Sequence, residues 1–351
     1  STLNEAFSPG KLNNGEETNY GFGWGIVEKG ITLSHTGGWV GFRTLLIRYI
    51  DKNQTIIVLD NSSNFRAQYM VRDIWEDKPI NLPMTHLIKN VNVIDGTGLA
   101  AYPANVRIVN NRISDIGDLT PFPNENVTDG NGKILAPGFI DSHSHHAGGL
   151  ADDPSGIAIT SQGITTIIAG QDGGSTPIDS ILNSIKESPP SINIASYTGQ
   201  ATLREMIMKD DLYRNATKTE IDSMKVILEK EMNKGSLGLS TGLEYEAAFY
   251  SNRDEVVELS KLVAEKGGRY ISHIRSEDIH IEESINEIIE IGRLAKIPVQ
   301  ITHVKIAMRS KWGNSTKIIR QLEQARLEGV NITADIYPYT MWNSTPRVLF
   351  P

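Results

Sequence analysis

The sequence predicts an α/β protein whose main body is a (β/α)8 barrel of the TIM type, preceded by two smaller β-rich segments. From about residue 136 onward, short apolar strands alternate with amphipathic helices. Alternation of this kind implies a parallel sheet, and close to eight units it implies a barrel. Several histidines directly follow these strands, at the edge of the barrel where active sites lie. We therefore expect a barrel that carries a catalytic site.

Seven segments of the barrel region have the apolar, β-branched composition of buried strands. They are the strand around Ile140 and residues 163–169, 192–197, 237–241, 270–273, 298–303 and 330–335. The segment 219–235 carries Ile221, Met224 and Leu228 at helical spacing, and a second such segment follows Asn252. The barrel over residues 136–351 is therefore expected to be incomplete, with its last strand beyond Pro351.

Residues 1–80 predict antiparallel β structure that ends in a helix. The strand candidates are residues 21–27, 41–50 and 54–59, with a turn at 51–53 and a helix over 64–76. Residues 79–83 are interpreted as a linker.

Residues 84–135 carry a further set of short strands, such as 87–94 and 105–109. The turns between them are rich in Gly and Asn, which is typical of antiparallel sheets. We expect a small β-sandwich here, so the predicted domains are 1–80, 84–135 and 136–351.

The composition excludes several classes of function. The chain has 351 residues, a formal net charge of −8 and no basic run long enough to bind nucleic acid. No apolar stretch approaches the 18 residues that a membrane-spanning helix needs. The chain has no cysteine, so disulfides and thiolate ligands are excluded. Any metal site must therefore use His, Asp, Glu or a modified Lys.

The pair His143 and His145 is the most informative feature of the chain. It follows the apolar run 135–140, which predicts a strand. Side chains two residues apart on a strand point to the same face, and two imidazoles on one face can share a divalent metal. The alternative is that both are surface histidines at a strand end.

Three further side chains are predicted to converge with this pair. His273 ends the fifth strand, His303 ends the sixth, and Asp172 follows the second. Because the carboxyl ends of barrel strands meet around one site, four histidines and a carboxylate predict a centre that binds a divalent metal. Asp172 could instead be a turn residue before Gly173 and Gly174.

Four segments of the barrel carry a family resemblance: residues 137–145, 238–245, 272–277 and 302–305. Together they resemble the N-acyl-D-amino-acid deacylase (D-aminoacylase) family of the amidohydrolase superfamily. The resemblance implies a zinc hydrolase in which His143 and His145 hold the more weakly occupied metal and His273 and His303 the tighter one. Where the family often has a cysteine, this chain has Asp172, whose harder oxygen donor changes the metal preference.

The resemblance also implies how substrate is bound and cleaved. It assigns Lys305 and Tyr337 to the substrate carboxylate, although both could lie in a solvated loop. It implies metal-assisted hydrolysis in which an aspartate after the eighth strand moves a proton to the leaving amine. Because that aspartate is expected beyond Pro351, we expect the 351-residue piece to bind metal weakly and to turn over little or nothing.

The segment His35-Thr36-Gly37-Gly38, with its aromatic and glycine-rich lead-in at 20–25, resembles the last part of serine β-lactamase-like hydrolases. Their third motif, K-T-G, lies on an edge strand. The resemblance implies a partial α+β fragment whose nucleophile lies upstream, so we expect no acyl-enzyme chemistry from it. An unrelated β-hairpin is the alternative.

The sequence thus predicts zinc-dependent hydrolysis of N-acyl-D-amino acids to a carboxylate and a D-amino acid. The alternatives are another amidohydrolase, such as a dipeptidase or a cyclic-amide hydrolase, and a catalytically inactive fusion or binding module. The oligomeric state stays open. The compartment is periplasmic or cytoplasmic, and the β-lactamase-like fragment favours the periplasm.

Overall fold

The structure, a computed structural model, describes residues 5, 7–21, 23–28, 31–39, 42–60, 84–122 and 125–344. The chain divides into two compact units, Ser1–Ala136 and Pro137–Pro351. The predicted helix over 64–76 and the linker at 79–83 lie outside the described residues. Within the described part, no helix has the length and apolar character needed to cross a membrane.

The first segment forms a four-stranded antiparallel sheet in which neighbouring strands are consecutive in the chain. Its strands are β1 (Gly25–Glu28), β2 (Thr32–Trp39), β3 (Phe42–Tyr49) and β4 (Gln54–Asp60). The sequence analysis missed β2, whose residues Ser, His and Gly have low strand propensity. Pairing with β3 along its whole length stabilises it. β1 pairs with the Thr32–Ser34 end of β2, and the His35–Gly37 motif lies beyond that end.

The second segment is one mixed sheet of five strands. They are β5 (Thr85–Val93), β6 (Tyr102–Val109), β7 (Arg112–Gly117), β8 (Asn126–Asp129) and β9 (Ile134–Leu135). β5 lies antiparallel to β6 and parallel to β8 and β9. Its buried apolar residues include Leu87 and a cluster of Val91, Val93 and Val106. Because all five strands pair into a single layer, this segment supplies one sheet where the sequence predicts a sandwich of two.

The second unit contains, within its described residues, seven parallel strands that pair in chain order. They are β10 (Phe139–Asp141), β11 (Ile164–Ala169), β12 with β13 (Asn193–Ser196 and Thr198–Gly199), β14 (Gly238–Gly242), β15 (Arg269–His273), β16 (Val299–Ile301) and β17 (Ile332–Ala334). β12 and β13 are halves of one strand interrupted at Tyr197: the first half pairs with β11 and the second with β14. The predicted parallel α/β arrangement is confirmed.

Helices separate the strands of this unit. The α-helices are α1 (Ile157–Thr160), α2 (Ile178–Glu187), α3 (Gln200–Met208), α4 (Lys218–Asn233), α5 (Glu246–Phe249), α6 (Arg253–Glu265), α7 (Ile281–Ala295) and α8 (Ser315–Leu327). Two short 3-10 helices span Gly148–Ala151 and Arg309–Lys311. α4 begins with a capping box between Thr217 and Glu220, and the Asn252 side chain caps α6. These caps explain why both helices begin close to where the sequence predicts.

The core of the second unit is concentrated around its central strands. Leu239 of β14, Tyr270 and Ile271 of β15 and Ile301 of β16 have no exposed surface. Leu239, Tyr270 and Ile301 pack with the apolar faces of α4, α6 and α7 in one continuous cluster. Since β14, β15 and β16 are anchored in this way, the side chains at their carboxyl ends start from a rigid base.

Candidate metal centre

All five predicted metal ligands line one cavity of about 600 Å³ at the carboxyl ends of the parallel strands. His273 is the last residue of β15, His303 lies two residues beyond β16, and Asp172 lies three beyond β11. His143 and His145 lie two and four residues after β10. The sequence placed this pair on the strand, whereas the loop that follows the strand carries both.

The first histidine pair shares its site with one oxygen of Asp172. The Nε2 atoms of His143 and His145 are 3.2 Å apart, and Asp172 Oδ2 lies 3.4 Å and 3.2 Å from them. Ligands bound to tetrahedral zinc at about 2.0–2.1 Å are themselves about 3.3 Å apart. The three atoms therefore have the mutual spacing of ligands on one ion.

The second pair uses the other oxygen of the same carboxylate. His273 Nδ1 and His303 Nε2 are 2.9 Å apart, and Asp172 Oδ1 is 3.5 Å from His303 Nε2. The Tyr245 hydroxyl is also 3.2 Å from His273 Nδ1. Asp172 thus offers one oxygen to each pair, which is the arrangement of a carboxylate that bridges two metals.

Three carboxylates that the sequence analysis missed surround the second pair. Glu244 lies 2.8 Å from His273 Nε2, Glu277 lies 2.8 Å from His303 Nδ1, and Asp335 accepts a hydrogen bond from the His303 backbone N–H. A signal was present, because Glu244 and Glu277 follow the carboxyl ends of predicted strands within a few residues and Asp335 ends another. However, no local sequence pattern predicts what these acids contact. Glu244 and Glu277 contact histidine rings from other parts of the chain, and Asp335 contacts the backbone N–H of His303.

Lys305 and Tyr337 lie on the same side of the cavity as the second pair. Lys305 Nζ is 2.5 Å from both oxygens of Glu277 and 5.5 Å from the centre of the Tyr337 ring. The Tyr337 hydroxyl is buried and has no hydrogen-bond partner in the structure. The sequence placed Lys305 and His303 on one strand, but β16 ends at Ile301 and both follow it.

Backbone strain occurs at two of the clustered residues. Asp172 has φ of 55° and His303 has φ of 37°, a left-handed conformation that costs a non-glycine residue about 1–3 kcal/mol. The left-handed turn at His303 ends the strand. Close packing leaves little freedom beside Asp172: a Cβ on Gly242 would lie 2.3 Å from the Asp172 carbonyl oxygen. The fold therefore holds both ligands in conformations they would not adopt alone.

The cluster is strongly anionic around its imidazoles. Burial raises the pKa of the Asp172 carboxyl, but hydrogen bonds with His143, His145 and His303 outweigh it and hold the pKa well below its usual range. The same balance, with His303 as hydrogen-bond partner, lowers the pKa of Glu277. Burial lowers the pKa of His303, but Asp172 and Glu277 raise it to about 9. Ionised carboxylates among imidazoles are a donor set suited to a divalent cation.

The chemistry of these donor atoms, and the lack of other partners for one of them, fit zinc. Imidazole nitrogen and carboxylate oxygen are ordinary zinc ligands. Asp172 Oδ1, which points towards the second histidine pair, is buried without a hydrogen-bond partner, a costly state for a carboxylate oxygen that has no ligand. Two overlapping groups of three side chains bring their ligand atoms within 4.8 Å: His143 with Asp172 and His303, and His273 with Glu277 and His303.

Comparison with known proteins identifies relatives of this chain, although no family model matches it. The N-acyl-D-glutamate deacylase of Alcaligenes xylosoxydans xylosoxydans is 32% identical over 270 residues, which are 70% of this chain and 55% of that protein. The D-aminoacylase of the same organism is 31% identical over 281 residues, 73% of this chain and 58% of that protein. The chain is a homologue of the D-aminoacylases. It spans a little over half the length of these relatives.

A solved structure supports the same relationship. The crystal structure of N-acyl-D-glutamate deacylase from Bordetella bronchiseptica, complexed with zinc and a phosphonate inhibitor, matches with a TM-score of 0.70 and 31% identity. The match covers 74% of this chain and 59% of that one. The resemblance to the D-aminoacylases, and with it the amidohydrolase type of barrel, is thereby confirmed.

A shorter match concerns a different class of protein. Penicillin-binding protein 4* of Bacillus subtilis (strain 168) is 56% identical over 59 residues, 16% of this chain and 13% of that protein.

Proposed function

We propose that the barrel unit belongs to a zinc-dependent enzyme that hydrolyses the amide bond of N-acyl-D-amino acids. The products are a carboxylate and a D-amino acid. The observation that carries this proposal is the convergence of four imidazoles and one carboxylate in a single cavity, beside a lysine and an unpartnered phenol. Similarity to relatives named as N-acyl-D-amino-acid deacylases supports the same chemistry.

The residues would divide into two metal positions. His143 and His145 would hold the weaker ion and His273 and His303 the tighter one, with Asp172 shared between them. One or two zinc ions fit these donors. Bound zinc would lower the pKa of a water molecule and polarise the amide carbonyl.

Lys305 and Tyr337 would bind the substrate's free carboxylate. Lys305 supplies a charge and Tyr337 a hydroxyl donor that has no partner within the protein. A volume of about 600 Å³ is ordinary for a small-molecule site and accommodates an acylated amino acid. Fixing the carboxylate at one end would present the amide at the metal end.

The proton-transferring aspartate would lie after an eighth strand, beyond Pro351. Within the described residues, β10 pairs only with β11 and β17 only with β16, so a further strand has an edge to join on each side. Asp335 is poorly suited to the role, because His303 N–H and Gln300 Nε2 occupy its two oxygens at 2.5 Å and 2.6 Å. An eighth strand would therefore complete both the barrel and the catalytic site.

The segments before the barrel would have separate origins. Residues 1–80 would be the end of a β-lactamase-like serine hydrolase domain, and residues 84–135 one layer of the sandwich that accompanies the barrel over 136–351. The antiparallel sheet with His35–Gly37 on β2 supports the first assignment, and so does the short match to a penicillin-binding protein. No acyl-enzyme chemistry is proposed for it.

A substrate comparison tests the proposed activity. The zinc-loaded parent protein should release D-methionine from N-acetyl-D-methionine and should not cleave the L-enantiomer. The His273→Ala variant should cleave neither substrate. Cleavage of dipeptides or of ring amides alone would reassign the enzyme to those amidohydrolases. No cleavage of any amide by folded, zinc-loaded parent protein would favour a binding module instead.

A further inference from the structure

The two histidines on the buried strands each have a carboxylate behind the ring. Glu244 Oε2 lies 2.8 Å from Nε2 of His273, and Glu277 Oε1 lies 2.8 Å from Nδ1 of His303. The opposite ring nitrogens, His273 Nδ1 and His303 Nε2, face each other at 2.9 Å. Each ring therefore turns one nitrogen to a carboxylate and the other to the proposed metal position. Lys305 Nζ also lies 2.9 Å from His303 Nδ1, but an ammonium only donates hydrogen bonds, so Glu277 is the group there that can accept the ring proton.

We propose that Glu244 and Glu277 are positioning residues that fix the tautomer and orientation of His273 and His303 for metal binding. A neutral imidazole carries one N–H, and donating it to a carboxylate leaves the lone pair on the other nitrogen. Carboxylates behind metal-binding histidines orient the ring and raise its basicity, and their loss typically weakens metal binding 10–100-fold.

Burial strengthens the effect of both carboxylates. The side chains of Glu277 and Glu244 are 5% and 15% exposed, so solvent screens their bonds to the rings only weakly. The first pair lacks this support on the His143 side. His143 Nδ1 is buried without a hydrogen-bond partner, and the carboxylate that approaches it, Asp335, is 3.9 Å away. A carboxylate in contact with the rear of the ring therefore distinguishes His273 and His303 from His143.

Glu277 has a second contact that Glu244 lacks within the described residues. Its two oxygens also hold Lys305 Nζ at 2.5 Å. If Lys305 binds the substrate carboxylate, as the proposed function requires, Glu277 positions a metal ligand and a substrate-binding group together. Substitution of Glu277 should then weaken zinc binding and raise KM, whereas substitution of Glu244 should weaken zinc binding alone.

The test measures zinc affinity by chelator competition in the full chain and in Glu244→Gln and Glu277→Gln. Glutamine keeps the shape of the side chain and removes its charge. We expect zinc at the His273 and His303 position to bind 10–100-fold more weakly in either variant. Zinc at the His143 and His145 position should be unchanged. Glu265→Gln, at the exposed end of α6, is the matched control and should match the unsubstituted chain. Circular dichroism establishes that each variant is folded.

Nitrogen NMR of the zinc-loaded chain gives a second readout that a purely structural role would not change. We expect the imidazole proton on Nε2 of His273 and on Nδ1 of His303. In Glu244→Gln the His273 proton should exchange faster with solvent. A proton on the opposite nitrogen of either ring, or wild-type zinc affinity in both folded variants, would overturn the inference.

These outcomes are separable from failure of the proposed function. Weaker zinc binding in both variants of a parent protein that cleaves no amide would leave the inference standing and remove the deacylase proposal. Unchanged zinc affinity in variants of an active deacylase would remove the inference and leave the deacylase proposal standing.

Discussion

The two histidine pairs of the cavity are held by contrasting parts of the barrel. β10, which precedes His143 and His145, has only three residues, and its Phe139 and Ile140 are 62% and 64% exposed. The His145 side chain is itself 61% exposed. β15 is buried in the core, and the His273 side chain at its end is 5% exposed. The packing of a strand therefore decides how well the side chain at its end is preorganised.

Preorganisation has an energetic consequence for metal binding. A side chain already held by packing and hydrogen bonds loses little rotamer freedom when it binds an ion, whereas an exposed one must lose more. We therefore expect the position at His273 and His303 to bind zinc more tightly than that at His143 and His145.

The largest expected effect comes from His273→Ala. Removing a direct ligand should weaken zinc at the tighter position by more than the 10–100-fold expected for an outer carboxylate. Chelator competition measures the change, with the exposed His280, which precedes α7, replaced by alanine as control. Equal losses from His273→Ala and His280→Ala would remove the distinction between a ligand and a surface histidine.

The packing contrast itself can be tested through stability. Ile271→Ala removes a fully buried side chain from β15 and should cost about 2–5 kcal/mol of unfolding free energy. Phe139→Ala on exposed β10 should cost no more than about 0.5 kcal/mol. Urea denaturation followed by circular dichroism measures both. Similar losses at the two sites would show that burial does not distinguish the strands.

Lys305→Met tests the substrate side of the tighter position. Loss of a charged hydrogen bond, about 1.5–3 kcal/mol, should lower kcat/KM of the parent protein for N-acetyl-D-methionine about 10–150-fold, mainly through KM. The control substrate is N-acetyl-D-methionine with its carboxylate converted to a carboxamide, and its kcat/KM should change little. Equal losses with both substrates would place Lys305 outside carboxylate binding.

Tyr337→Phe should have the smallest effect. The hydroxyl has no partner in the protein, so removing it leaves no internal group unsatisfied. We expect the loss of one neutral hydrogen bond, about 0.5–1.5 kcal/mol, in substrate binding and no change in the unfolding free energy. Steady-state kinetics of the parent protein and a thermal melt together separate these two quantities.

The barrel was predictable because its signal is local. Apolar strands and amphipathic helices alternate along the chain, and the predicted strand at 270–273 differs from β15 by one residue. The convergence of His273 and His303 followed from topology alone, because parallel neighbours end at one edge. β2 was missed, since pairing with β3 rather than its own composition makes it a strand.

The carboxylates behind the histidine rings were not predictable in the same way. Glu244 and Glu277 lie in segments that the sequence analysis singled out, yet no spacing rule connects Glu244 with His273, 29 residues away. The left-handed backbone at His303 turns the chain so that its backbone N–H meets Asp335. Such contacts depend on three-dimensional packing and on strained turns, which sequence patterns do not encode.

Zinc content is the most direct measurement of the central idea, that the strand ends assemble one metal centre. Elemental analysis of the parent protein, extended through the eighth strand, should find one or two zinc ions per folded chain after zinc loading and dialysis, with the tighter ion lost in His273→Ala. Folded protein that retains no zinc, or a His273→Ala variant that retains all of it, would contradict the convergent centre.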